Sequence, residues 1–304
     1  MSATFVAGTG PGFIFLFLRL ISALNSLLSG MLCIITVQKI DFLPSAGAER
    51  QAQKPGEKRM TQHLIQVINP NTNAAMTHTI AEAARGVAAA TSKIIAVCPS
   101  QGVESIEGHF DEAVAAVGVL EQIKLGKQQG VNGHVIACFG DPGLLAAREL
   151  ASGPVIGIAE AAMHTATLVA TRFSVVTTLP RTLIIARHLL RQYGFEHHCA
   201  ALHAIDLPVL ALEDGTGLAQ QKVRERCIWA IKEDNSGAIV LGCGGMANLA
   251  RELTAELGVP VIDGVTAAVK MVESLIALGL GTSKYGDLAY PNKKPLSGCF
   301  DMLS

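Results

Sequence analysis

From Leu64 onward, short aliphatic and β-branched runs alternate with stretches whose apolar residues recur every three or four positions. Leu64–Ile68 (LIQVI), Ser92–Val97, Gly133–Phe139 and Pro154–Ile158 read as strands. Between them Asn71–Ala90, His109–Gln128 and Pro142–Leu150 carry the helical period. The first of these helices is expected to start through Asn71 and Thr72, whose side chains can accept from free backbone N–H groups. The plan then recurs, with strands at Phe173–Thr177, Ala200–Ile205, Ala238–Gly242 and Val259–Ile262. Helices are expected at Arg181–Tyr193, Gly217–Glu233 and Met246–Leu257. Strands alternating with helices imply right-handed parallel βαβ units.

The two halves keep a common register. Cys138 precedes the proline of GPVIGI by 16 residues, and Cys243 precedes the proline of VPVIDG by 17. AARELA (Ala146–Ala151) and LARELTA (Leu249–Ala255) stand between them, while Val67 and Val176 lie 71 and 67 residues upstream of the two cysteines. A repeat of about a hundred residues is too long for a solenoid unit and suits a duplicated α/β domain. The expected fold class is α/β, with two pseudo-twofold-related doubly wound parallel-sheet domains and the active site in the cleft between them. The first domain is expected over residues 60–160 plus 264–304, and the second over 161–263. Such domains bind ligands at the carboxyl ends of their strands, so Cys138 and Cys243 would stand on opposite walls of the cleft.

Composition narrows the classes. Hydrophobic residues make up 50% of the 304 and charged residues 16%, as suits a fully buried sheet. The formal net charge is −1 and no long basic run occurs, so a nucleic-acid partner is not expected. Seven cysteines without a CxxC fit neither a secreted disulfide framework nor a zinc ribbon. Free thiols point to a reducing compartment and a cytoplasmic location.

Residues 1–59 differ from the rest. Phe13–Val37 is nearly all apolar with Arg19 as its one charge, long enough to span a bilayer, and Lys39, Arg50, Lys54, Lys58 and Arg59 follow it. As an anchor it would leave the globular part on the cytoplasmic side. No Lys or Arg precedes the apolar run, which argues against a secretory signal. The alternative is an upstream extension that a folded part starting at Met60 does not need. The GTGPG at residues 8–12 lacks the preceding strand of a dinucleotide loop, and Pro11 stands where the helix should begin.

Four roles are open to Cys138 and Cys243. A disulfide between them would clamp the cleft shut. A metal needs three or four ligands, and the nearest grouping, His197-His198-Cys199, sits at a turn. Core packing is the ordinary fate of a free cysteine and is the expectation for Cys98, Cys199, Cys227 and Cys299. Cys138 and Cys243 differ because each ends a strand before a Gly-containing turn and a helix. N–H groups there would lower a thiol pKa, and Gly140, Gly244 and Gly245 would let the backbone bind a ligand's oxygens. Two thiols facing one carbon can remove a proton from one face and return one to the other, with N–H groups holding the enolate between the steps. No cofactor and no metal are needed.

Other polar residues carry two readings each. Glu104, Glu107, His109 and Asp111 form either an acidic helix start or a ring-recognition cluster. Glu160 and His164, four apart, are a structural pair or a ligand contact. Asp141-Pro142 reads as a helix start with proline in its first turn and a capping carboxylate.

Six motifs in order then carry a resemblance: INPNT (Ile68–Thr72), SIEGHFDEA (Ser105–Ala113), CFGDPG (Cys138–Gly143), GIAEAAMHTA (Gly157–Ala166), TTLPRT (Thr177–Thr182) and LGCGGM (Leu241–Met246). Over about residues 62–290 the chain resembles the aspartate/glutamate/hydantoin racemase superfamily, and most of all its hydantoin and allantoin racemase branch. The resemblance implies two facing α/β domains, a small-molecule substrate, cofactor-independent two-base racemisation and a homo-oligomer. It makes Cys138 and Cys243 the catalytic thiols. It places Asn71, Thr72, Gly102, Thr177 and Thr178 in loops lining the site, and Phe139, Gly140, Gly244 and Gly245 in the loops that hold a ring. The N-terminal extension departs from the pattern. An apolar, Gly-lined site suits a neutral five-membered ring whose C5 proton is acidified by a carbonyl, and the resemblance selects allantoin, within purine catabolism. Other 5-substituted hydantoins, a decarboxylase or isomerase on the same scaffold, and a non-catalytic small-molecule-binding protein are the alternatives.

Overall fold

The computed structural model describes residues 62–303, and the apolar segment 13–37 lies outside the described residues. Among the described residues, no helix is long and apolar enough to cross a membrane.

Among the described residues, eight strands form two separate parallel sheets of four. The first half runs β1 (His63–Ile68), α1 (Ala74–Val87), β2 (Ser92–Val97), α2 (His109–Gln128), β3 (Gly133–Ile136), α3 (Leu144–Leu150), β4 (Val155–Gly157) and α4 (Ile158–Val169). The second runs β5 (Phe173–Thr177), α5 (Leu183–Gln192), β6 (Cys199–Ala204), α6 (Leu218–Glu233), β7 (Ala238–Leu241), α7 (Ala250–Leu257), β8 (Val261–Asp263) and α8 (Gly264–Ala277). The sheets have the orders β2-β1-β3-β4 and β6-β5-β7-β8, the same topology four strands apart. β1 pairs in parallel with both β2 and β3, and β5 with both β6 and β7. The inner strands β3 and β7 are buried along their whole length, and β7 accordingly reads as a continuous apolar run while β3 carries one buried polar residue, His134.

The last helix of each half packs on the other half's sheet. Ala159, Ala162, Met163 and Ala166 of α4 join Phe173, Val175, Ala238 and Val240 in one core. Val265, Ala268, Val269 and Val272 of α8 join Ile65, Val67 and Val135 in another. Alanine predominates on the buried face of α4, so helix and sheet approach closely. The exchange couples the two lobes through their cores.

Several element boundaries move from their expected places, each for a local reason. α1 starts at Ala74, and its cap is Asn73, whose side chain accepts from the Met76 N–H at 2.8 Å. Asn71 and Thr72 lie before it in the loop. β3 stops at Ile136, two residues before Cys138. α3 starts only at Leu144, because Asp141 and Gly143 both take positive φ, 47° and 70°. Pro142 therefore precedes the helix rather than opening it. Gly244–Leu249 forms a 3-10 turn, so regular helix resumes at Ala250 instead of Met246.

Candidate active site

The carboxyl ends of β1, β3, β5 and β7 converge on a small cavity of about 60 Å³. Cys138 lines it from one lobe and Cys243 from the other. Each thiol follows an inner strand, and each is met by the backbone N–H two residues on, Gly140 for Cys138 and Gly245 for Cys243. The duplicated βα turn thus supplies one sulfur and one supporting N–H from each side.

Burial nevertheless dominates the electrostatics. Withdrawal from water pushes the Cys243 thiol up to about 11, against the pull of the Gly245 N–H. Cys138 is pushed higher, by burial first and also by the nearby Cys243, Glu112 and Asp141. The expected lowering of both thiol pKa values is therefore corrected: the N–H donors are in place, but desolvation outweighs them. Both groups are thiols at neutral pH in the unliganded site, and Cys243 ionises first.

The site residues divide clearly. Asn71, Phe139, Gly140, Thr177, Thr178 and Gly244 line the cavity with the two cysteines. Thr72, Gly102 and Gly245 do not. The Thr72 hydroxyl donates to the Val103 carbonyl at 3.3 Å, and Gly102 lies beside its methyl group, so both hold the loop after β2. Gly245 faces Leu212 and Met76 and contributes its N–H to Cys243. Part of the polar lining is spent on scaffolding. Thr177 donates to the Gly242 carbonyl at 2.9 Å, fixing the turn before Cys243. The Asn71 side chain accepts from Asn69 at 2.7 Å and from the Asn73 N–H at 2.9 Å.

Several of the remaining sequence candidates make local structural contacts. Asp111 accepts from the Glu107 N–H at 2.9 Å at the start of α2, and Glu107 accepts from the Val209 N–H at 3.1 Å across the lobes. Glu160 pairs with Arg148 at 2.5 Å, and the His164 ring sits 2.8 Å from the Glu160 carbonyl, outside this cavity. Asp141 does not cap its own helix. Its carboxylate accepts from the Ala159 and Glu160 N–H groups, at 3.0 and 2.9 Å, at the start of α4. Burial pushes that carboxyl up to about 7. Cys138 and Cys243 are free thiols, as are Cys98, Cys199 and Cys227; Cys227 is fully buried in the core, whereas Cys98 and Cys199 are half-buried. The His198 ring lies 3.1 Å from the Thr171 carbonyl, and Cys199 begins β6.

Sequence reasoning missed Glu112, Asn69, Ile106, Thr182 and Val209, all in the lining. Glu112 stands 3.3 Å from His109, and its carboxyl fills the space in front of Gly140. Its burial raises its pKa. The signal was present, since Glu112 is three residues past His109 on the same helix face.

The profile of the family described as Asp/Glu/Hydantoin racemase matches residues 65–272. The chain belongs to this family. Within the Asp/Glu/hydantoin racemases it is similar to the hydantoin racemase of Rhizobium meliloti, at 50% identity over 77% of this chain and 97% of that protein. It is also similar in structure to an allantoin racemase from Klebsiella pneumoniae, with 78% identity, a TM-score of 0.79, and coverage of 80% of this chain and 99% of that one. An allantoin racemase from Pseudomonas fluorescens matches with 40% identity and a TM-score of 0.74, over 77% of this chain and 100% of that one. A glutamate racemase from Francisella tularensis, at 19% identity and a TM-score of 0.52 over 74% of this chain and 85% of that one, shares the fold.

Proposed function

We propose that this protein racemises a 5-substituted hydantoin, allantoin being the substrate, with Cys138 and Cys243 as its two acid–base groups and no cofactor. One observation carries the reading: equivalent turns of two duplicated lobes bring these two thiols into a single cavity. The names of the hydantoin and allantoin racemases to which the chain is similar support the substrate class.

The chemistry follows from the geometry. One cysteine, as thiolate, takes the C5 proton and becomes a thiol, and the C–H electron pair passes into the adjacent carbonyl as an enolate. The other cysteine, as thiol, delivers its proton to the opposite face and becomes the thiolate. Substrate and product are mirror images at C5, and the protonation states of the two sulfurs have exchanged. The two resulting enzyme forms serve the two enantiomers. A neutral ring tolerates an apolar wall such as Phe139, and the enolate formed between the two steps needs hydrogen-bond donors.

Polarimetry of pure (S)-allantoin with the purified protein and a chelator tests this. Optical rotation is expected to decay to zero at a rate proportional to enzyme and well above the uncatalysed rate. Decay no faster than the enzyme-free control, or release of CO2 in its place, would overturn the proposal.

A further inference from the structure

The turn carrying Cys138 is held from the opposite lobe. Asp141, three residues past Cys138, has a left-handed backbone (φ 47°), a conformation that aspartate takes more readily than most non-glycine residues and that turns its side chain away from its own helix. Here its buried carboxylate accepts from two N–H groups of α4 and from the Tyr193 hydroxyl at 2.7 Å. Its backbone N–H donates back to the Cys138 carbonyl at 3.0 Å. Gly157, at the start of α4, lacks a side chain where the Asp141 carboxylate lies, so that a Cβ would overlap it. Tyr193 follows α5, the helix that contributes Ile185 and Ala186 to the cavity wall. Its ring packs against the cores of both lobes.

The other turn is built differently. Met246 stands three residues past Cys243 and is buried in the core of its own lobe. Asp263 caps α8 directly, accepting from the Thr266 N–H at 2.8 Å. The Cys243 turn meets the opposite lobe through apolar packing, with Ala247 in that lobe's core, whereas the Cys138 turn is tied there by hydrogen bonds to the Asp141 carboxylate.

We propose that Tyr193 is a positioning residue for one half of the reaction: through Asp141 its hydroxyl sets where the Cys138 sulfur stands against the substrate carbon. This rests on the two-thiol racemase reading. Loss of the hydroxyl slows proton transfer at Cys138 and leaves transfer at Cys243 unchanged. Racemisation has an equilibrium constant of one, so kcat/KM falls equally from either enantiomer. The asymmetry appears in isotope effects, because substrate deuterium is felt only in the first proton removal.

The test is Tyr193→Phe with each enantiomer of C5-deuterated allantoin. We expect kcat/KM to fall about tenfold. The isotope effect should rise for the enantiomer deprotonated by Cys138 and fall toward unity for the other. Asp141→Asn keeps the turn's volume but cannot accept from all three donors, and is expected to give the same divergence. Isotope effects that stay paired in both variants, or undiminished kcat/KM in Tyr193→Phe, would overturn the positioning role while leaving the racemase reading intact. A wild-type protein that does not racemise allantoin overturns that reading and this role with it.

Discussion

The α-carbon of Gly264 lies against the carbonyl oxygen of Ile158, so close that a Cβ at residue 264 would overlap it. Both residues begin the exchanged helices, α8 and α4, and this contact is one of the points at which the two lobes are packed together. Gly264→Ala has no flexible neighbour to displace, since it meets backbone. Overpacking of this kind costs about 1–3 kcal/mol. The expected outcome is a lower urea midpoint together with reduced activity, because the same shift separates Cys138 from Cys243. An unchanged midpoint would show that the helix starts slide apart freely.

The thiols give a pH prediction. kcat/KM reports ionisation of the free enzyme, and Cys243 is held near 11 with Cys138 above it. The productive form has one thiolate and one thiol, so its population grows with pH until Cys243 has ionised. Log kcat/KM, corrected for uncatalysed racemisation, is expected to rise by about one per pH unit between about pH 7 and 9. A plateau below about pH 8 would mean that a thiol ionises far more easily than its burial allows.

Selective alkylation distinguishes the two sulfurs. Both line the same cavity, so their access to a small reagent is alike and thiolate fraction decides the order. Iodoacetamide at about pH 9 is expected to label Cys243 before Cys138, as read by peptide mass spectrometry, and excess allantoin should slow both. Label arriving first on Cys138 would contradict the electrostatic order.

His134 controls stability rather than chemistry. It is buried at the start of β3, 2.8 Å from the Gln66 side-chain oxygen, and Gln66 in turn donates to the Gln122 carbonyl at 3.0 Å. Burial lowers its pKa to about 4, from 6.5. The unfolded chain therefore binds a proton between these values that the folded chain refuses. Stability is full above 6.5 and is lost as pH falls toward 4. Between pH 7.5 and 5 the loss is about 2 kcal/mol. Urea unfolding of the wild type at the two pH values should show it, and His134→Gln should shrink the difference. Equal differences in the two proteins would remove His134 from the account.

Much of the fold was legible because its signals are local. Phe173–Thr177 and His109–Gln128 occur as strand and helix with the bounds read from sequence. An apolar run between turn residues has one way to be buried, and α2 is bounded by Gly108 and a turn at Gly130. The boundaries that moved at β8 and at the end of α1 shift by two or three residues, and several others lie at the site. Cys138 to Gly143 and Cys243 to Leu249 take irregular backbone there, and periodicity carries no record of that. Long-range partners were illegible for the same reason. Asp141 looks like the cap of the helix beside it, but it serves α4, 18 residues further on, and meets Tyr193, 52 residues away. The two thiols were visible because duplication repeats them. Glu112 has no counterpart in the repeat and was passed over.

The central claim is that two sulfurs flank one carbon, each with its own face. Its most direct measurement is C5 hydrogen exchange in D2O, followed by NMR on separate (R)- and (S)-allantoin with Cys138→Ser and Cys243→Ser. Each variant is predicted to lose racemisation by roughly a thousandfold while washing deuterium into one enantiomer only, a different one for each variant. Exchange of the same enantiomer by both variants, or racemisation surviving the loss of either sulfur, would contradict it.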